Sequence, residues 1–299
     1  MESVTSRIAP TPSGFLHQGN GLNFVLTWLI TRLQAGKLIL RIDDLDQSRV
    51  REEYLEDVFH TLDWLGIDWD KGPVHVEDHL KNHSQRHRIP AYLELLKSLK
   101  VHSFACQCSR KEVMAHAIDG QYAGTCRSLN LRHTPSITAL RIISHKGPIH
   151  ITDQIQGEVS IDLYSSMRDF VVFRKDGIPA YQLASLSDDM SMGVNLIVRG
   201  IDLLPSSAAQ IYLAQKLERG FNNSVRFYHH KLIQDEQGQK LSKSKGSTSL
   251  KSWRETRSVE EFYHWVGSSF GIPEKLSSAE ELLQYSREKG IADILKKLV

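Results

Sequence analysis

Residues 7–30 read RIAPTPSGFLHQGNGLNFVLTWLI. A short strand candidate over Arg7 to Ala9 runs into two prolines and a run of glycines. An apolar series follows: Leu22, Phe24, Val25, Leu26, Trp28, Leu29 and Ile30, which predicts a helix over residues 20–34. The next apolar run, KLILRI at 37–42, is a second strand candidate. Strand, tight turn, helix and strand in this order imply parallel pairing through a crossover helix. Working outward, residues 51–65 place Leu55, Val58, Phe59, Leu62 and Leu65 on one helical face. Residues 84–99 do the same with Ile89, Tyr92, Leu93, Leu96 and Leu99. The expected class is α/β, with a Rossmann-like parallel sheet.

Beyond residue 100 the pattern changes. Three cysteines appear, then the alternating runs ITALRII (137–143) and IHITDQI (149–155), separated by glycine and proline. Residues 101–165 therefore read as a small, metal-stapled insertion that follows the first half of the sheet, 1–100, and separates it from the second. The second half, 166–235, carries strands at FVVFR (170–174) and Leu196 to Val198, with helices over 181–190 and 206–219. The remaining segment, 236–299, holds a basic loop and short helices near 258–270 and 290–298.

Of 299 residues, 40% are hydrophobic and 24% charged, a composition that excludes a disordered or fibrous chain. Thirty-seven Lys and Arg against 35 Asp and Glu leave a formal charge of +2, so any nucleic-acid surface must come from local patterning. No charged segment leads into an apolar run at the start, and no apolar stretch approaches the roughly 20 residues that span a bilayer. The expectation is a cytoplasmic protein without a membrane partner, a monomer. Three cysteines cannot all pair within one chain, and Cys106 and Cys108 stand too close in sequence for an easy mutual bridge. With Cys126 they offer three corners of a tetrahedral zinc site; buried free thiols are the alternative. His102 and His116 are candidates for a fourth corner.

A glycine-rich turn from strand into helix presents unpaired amides beside the positive end of the helix dipole, where an anion can sit and His17 can donate to it. The same residues also suit a plain tight turn with a surface histidine. Late in the chain, GQKLSKSKGS (238–247) sets Lys240, Lys243 and Lys245 among serines and glycines. Such a loop can close over a polyphosphate, or simply be solvated.

Taken together, H-x-G near the start and K-L-S-K-S near the end are similar to the HIGH and KMSKS signatures of class I aminoacyl-tRNA synthetases. RIAPTPSGFLHQGN (7–20), LRIDDLD (40–46), LGIDWDKGP (65–73) and IVRGIDL (197–203) narrow the resemblance to the glutamyl branch. Only 55 residues follow Ser244, too few for the anticodon-binding region of full-length glutamyl-tRNA synthetases. The chain thus resembles the truncated paralogues, the glutamyl-queuosine tRNA(Asp) synthetases. That resemblance implies a ligase that activates L-glutamate with ATP, accompanied by Mg²⁺, and transfers it to queuosine at the wobble position of tRNA(Asp). It also implies roles. His17 and Lys243 would be catalytic, and His17, Gly19, Asn20, Lys240 and Lys243 would hold ATP. Arg7, Thr11, Asp43, Tyr181 and Arg199 would bind glutamate, with Asp43 receiving its α-amino group. Cys106, Cys108, Tyr122 and Cys126 would hold zinc. Two departures stand out: Asn20 replaces a second histidine, and Asp43 a glutamate. Rival functions are a glutamyl-tRNA synthetase-like enzyme with another acceptor or amino acid, a nucleotidyltransferase acting on a small molecule, and a silent tRNA-binding relative.

Overall fold

A computed structural model describes residues 3–232 and 249–298. Strand β1 (Thr5–Ile8) leads through the turn to the helix Gln18–Leu33, which returns the chain to β2 (Lys37–Leu40), parallel to β1. The expected helix over 51–65 forms as Glu52–Trp64, burying Leu55, Val58 and Leu62. The one over 84–99 is shorter, Ile89–Ser98. Pro90 suits a first turn, so the α-helix begins there, and Gln85–Arg88 before it winds as a 3₁₀ helix. Leu93, expected on its buried face, lies at the surface.

Next come β3 (Ser103–Cys106), β4 (Ala139–Ile142), β5 (Pro148–Asp153), β6 (Gly157–Asp162) and β7 (Val171–Phe173). Beyond the helix Tyr181–Ser191 lie β8 (Leu196–Gly200), the helix Leu204–Lys216 and β9 (Arg226–His230). The larger sheet runs β2-β1-β8-β9-β5-β6, parallel except for the antiparallel edge strand β6. The smaller sheet, β3-β4-β7, is antiparallel.

Two strands sit elsewhere than their sequence context suggests. Phe170–Arg174 reads as a return to the main sheet, yet β7 pairs with β4, and the Ile142 amide donates to Phe170 O at 3.0 Å. Conversely IHITDQI, read as part of the insertion, forms most of β5, which joins the main sheet beside β9. Its alternation is real: Ile149 and Ile151 face the core while His150 and Thr152 face solvent.

Successive residues of β2 and β8 serve opposite cores. Leu38, Leu40, Leu196 and Val198 pack on one face of the sheet, with the helix Gln18–Leu33 and the apolar residues of the C-terminal helices. Ile39 and Ile197 pack on the other, under the helices Tyr181–Ser191 and Leu204–Lys216. Helices on both faces of a mainly parallel sheet form three layers, and the sheet is the Rossmann-like one anticipated. The C-terminal helices Leu250–Thr256, Val259–Ser269 and Ala279–Lys289 contribute Trp253, Phe262, Tyr263 and Leu282 to the first core. No helix among the described residues is long and apolar enough to cross a membrane.

Candidate active site

In a sheet ordered β2-β1-β8-β9, the chain leaves β1 toward one edge and β8 toward the other. The crevice beyond the carboxyl ends of those two strands is where open α/β sheets bind ligands. Arg7 is the penultimate residue of β1, and Arg199 holds the same place in β8. Both side chains line a cavity of about 420 Å³ there, with Thr11, Asn20 and Tyr181 also in its wall. Thr11 and Tyr181 are shared with a second cavity of about 850 Å³, which extends past Asp43 to Cys108 and Arg141 beside the smaller sheet. Four of the five expected glutamate residues thus meet in one cavity, and Asp43 lines the adjoining one.

Arg199 is the distinctive group. Its side chain is 3% exposed; Nη1 donates to Gln210 Oε1 (3.1 Å) and Ser207 Oγ (3.2 Å). Nε and Nη2, although buried, have no partner among the described residues. Burial pulls this guanidinium below the ordinary arginine range, a trend that Tyr181 and Asp189 oppose and Arg7 and Arg41 reinforce. A buried cation with two unsatisfied nitrogens is an arrangement that an incoming anion relieves. Arg7 differs: its Nε already donates to Asp189 Oδ1 at 3.1 Å.

The framework under these groups was not singled out in the sequence. Asp188 and Asp189, near the end of the helix Tyr181–Ser191, are 1% and 0% exposed. Asp189 accepts from Arg7 and from Arg41 Nη1 (2.6 Å). Asp188 accepts from Arg88 Nε (2.7 Å), the Tyr92 hydroxyl (2.8 Å) and Gln85 Nε2 (2.9 Å). Arg41 also grips both oxygens of Asp43, at 2.7 and 3.1 Å. Burial pushes the Asp43 carboxyl up, with Asp188 and Asp189 adding to the effect and Arg41 opposing it. The available signal was the SDD run (187–189) in a segment whose neighbours are all apolar or small: carboxylates buried there require cationic partners.

His17 caps the helix Gln18–Leu33, and the Asn20 side chain accepts from the His17 amide at 3.0 Å; Asn20 lines the smaller cavity, whereas His17 and Gly19 are not among the residues lining either one. The asparagine found where the resemblance has a second histidine is therefore a capping residue as well as a wall of the cavity. Gly19 makes room for the imidazole, since a Cβ there would stand 3.1 Å from His17 Cε1. In the first turn the Asn20 and Gly21 amides donate to His17 O, at 2.8 and 3.2 Å, and that turn holds no acidic residue. Its approach is clamped: Asp57 accepts from the Leu16 amide (3.0 Å) and from Arg254 (2.7 Å), and Leu16 O accepts from the Leu250 amide (2.8 Å). Lys240 and Lys243 lie outside the described residues. Ser249, where description resumes, pairs with His17.

The sulfurs of Cys106, Cys108 and Cys126 lie within 4.8 Å of one another. The Tyr122 hydroxyl stands 3.5 Å from Cys106 Sγ and accepts from the Cys126 amide at 2.7 Å. Arg141 stacks over the Tyr122 ring at 3.9 Å. Burial and the neighbouring thiols push Cys108 up to about 12. His102 and His116 are not in the cluster. Three clustered thiols with a tyrosine hydroxyl beside one of them are a donor set that suits a tetrahedral zinc ion, so these residues could hold one.

Comparison with known proteins gives the family and the fold. Residues 3–264 match the model of the catalytic domain of class I tRNA synthetases (E and Q). A glutamyl-Q tRNA(Asp) synthetase of Deinococcus radiodurans is 34% identical over 94% of this chain and 95% of its own length. A second, from Nitratidesulfovibrio vulgaris, is 33% identical over 84% and 81%. A glutamate–tRNA ligase of Oleidesulfovibrio alaskensis is 31% identical, and the chain spans 62% of its length. Among solved structures, a glutamate–tRNA synthetase of Elizabethkingia anophelis superposes with a TM-score of 0.72 at 20% identity, covering 95% of this chain and 65% of that one.

Proposed function

We propose, for a chain that belongs to the class I tRNA synthetases (E and Q), that it activates L-glutamate with ATP and transfers it to queuosine at the wobble position of tRNA(Asp). One observation carries the amino-acid half of this reading: Arg199, fully buried at the switch point of the sheet, keeps two nitrogens unpaired beside a cavity. Such a group recognises a carboxylate beyond the one that reacts. The glutamyl-Q relatives, matched over most of their length, support the acceptor half.

In the first step an oxygen of the glutamate α-carboxylate attacks the α-phosphorus of ATP, and the bond to the pyrophosphate oxygen breaks. Glutamyl-AMP and pyrophosphate result. A hydroxyl of the acceptor then attacks the glutamyl carbonyl; AMP leaves with the bonding electrons, and the hydroxyl proton passes to solvent. Neither step needs a protein nucleophile, so this chain's residues act by position and charge. Arg199 and Arg7 take the side-chain carboxylate, Thr11 and Tyr181 flank it, and Asp43 faces the ammonium group. His17, Gly19 and Asn20 hold phosphate at the helix start, and Lys240 and Lys243 supply charge as pyrophosphate departs. Mg²⁺ arrives with the nucleotide.

Glutamate-dependent exchange between ATP and pyrophosphate, without RNA, tests the first step. Absence of exchange with any amino acid excludes the enzyme reading and leaves the silent relative. Lys243→Ala should lower exchange by roughly 10²-fold, the usual effect of removing one charge-stabilising donor. An unchanged rate would take Lys243 out of the nucleotide site. For the acceptor, radiolabelled glutamate should enter tRNA(Asp) only from cells that make queuosine. Labelling that persists without queuosine would move the acceptor elsewhere.

We further propose that Cys106, Cys108, Cys126 and Tyr122 bind one zinc ion, which when bound serves as a structural staple for the segment around β3 and β4. Elemental analysis of the purified protein should give about one zinc per chain. Cys126→Ser should weaken retention against a chelator by at least roughly 10²-fold, more than substitutions behind a ligand usually cost. Equal retention by the variant would rule the cluster out as the metal site.

A further inference from the structure

Behind Arg199 runs a line of buried groups that the mechanism above does not use. Arg199 on β8 is in register with His229 on β9, so the two side chains emerge on the same face of the sheet. Asp153 ends the next strand, β5. Its Oδ2 lies 2.6 Å from His229 Nδ1, and His229 Nε2 lies 2.8 Å from Ser207 Oγ. Ser207 and Gln210, three apart on the helix Leu204–Lys216, both meet Arg199 Nη1. Asp153, His229, Ser207 and Gln210 are all 3% exposed or less.

Serine, histidine and aspartate at these separations have the layout of a nucleophilic triad, but the serine oxygen points at a guanidinium and is sealed from solvent. The hydrogen-bond directions follow from the partners. Nδ1–H must donate to Asp153, leaving the Nε2 lone pair to accept from the Ser207 hydroxyl, whose own lone pair accepts from Arg199. Burial, reinforced by the charge of Arg199, keeps His229 below the ordinary histidine range and in this neutral form, against the hydrogen bond that its Nδ1–H donates to Asp153, which favours the charged form.

Both groups that touch Arg199 Nη1 are therefore uncharged, and the carboxylate behind them is consumed by His229 and by the amides of Ile155 and Gln156. A glutamate in place of Gln210 would suit the fold better, because the Gln210 Nε2 donor is itself buried without a partner. We infer that Ser207 and Gln210, backed by His229 and Asp153, are positioning residues whose neutrality orients Arg199 while leaving it without a bonded carboxylate, ready for the side-chain carboxylate of the amino acid. The inference rests on the glutamate-activating function proposed above.

Gln210→Glu keeps the shape and the contact to Nη1 but adds the missing charge, while Ser207→Ala removes only the relay's last oxygen. In the exchange assay, Gln210→Glu should raise the KM for glutamate by more than about 10²-fold and Ser207→Ala by about tenfold. Neither should change the KM for ATP, and kcat should move by less than about threefold. The melting temperature of Gln210→Glu should hold or rise. A purely structural role predicts the reverse split, with stability moving and KM still. If Gln210→Glu folds and its KM for glutamate stays within twofold of wild type, the inference is overturned. If that variant does not fold, an unchanged KM in Ser207→Ala overturns it. A wild-type protein without glutamate-dependent exchange overturns the proposed function, and the relay's purpose with it.

Discussion

Replacing Arg199 with methionine should abolish most glutamate activation while leaving the protein as stable as before. The substitution keeps an aliphatic stem of similar length and removes a buried guanidinium that has no carboxylate bonded to it. Truncating one partner of a desolvated charge pair costs about 2–5 kcal/mol of ligand binding, roughly 30-fold to several thousand-fold. The kcat/KM for glutamate in the exchange assay should fall by that factor. In the free protein, by contrast, two unsatisfied nitrogens disappear, so the melting temperature should hold or rise. Opposite signs for activity and stability are the signature of a group kept for a ligand. Exchange persisting within about tenfold of wild type would show that the carboxylate binds elsewhere.

Asp189→Asn should do the reverse. Arg7 and Arg41, 5% and 2% exposed, both donate to Asp189 Oδ1. Neutralising that carboxylate leaves two buried cations undercompensated, at a cost of about 3–5 kcal/mol. For a chain of this size the melting temperature should drop by roughly 10 °C. Burial alone would raise the Asp189 carboxyl, but Arg7, Arg41 and Arg199 together hold it below the ordinary carboxylate range. A depressed folded value means that its stabilisation is full above about pH 4, the unfolded value, and is lost as pH falls through the folded one. The gap between wild type and variant in urea or thermal unfolding should therefore be widest at neutral pH and narrow below about pH 4. A pH-independent gap would indicate that shape, and not charge, is lost.

Local signals in the sequence were enough to find the β1–helix–β2 unit, because apolar spacing, the Pro/Gly turn and the short strands all lie within 36 residues. Arg7, Thr11, Tyr181 and Arg199 were legible only through motif order, since nothing local tells an arginine at a strand end from one at the surface. Their supports were not legible. Asp189 reaches Arg7 across 182 positions, and Asp153 reaches His229 across 76. Such contacts are set by which strands become neighbours, and a side-chain pattern of period two does not encode that. The same gap misplaced β5 and β7: each alternates as a strand should, but alternation says which face is buried and not which edge it joins. The cysteines were easier, because chemistry restricts what three clustered thiols can do.

The clamp at Leu16 carries a thermodynamic consequence. Leu16 is tied to Asp57 and to Leu250, Asp57 is tied to Arg254, and Gly21 approaches Phe262 so closely that a Cβ would stand 2.8 Å from its ring. The start of the helix Gln18–Leu33 and the C-terminal helices are thus one body. By linkage, any ligand that favours the ordered turn at His17 also adds its binding free energy to the folding of Trp253, Phe262 and their neighbours. The obligation is reciprocal: loosening those aromatic residues weakens the ligand at the turn by the same coupling free energy.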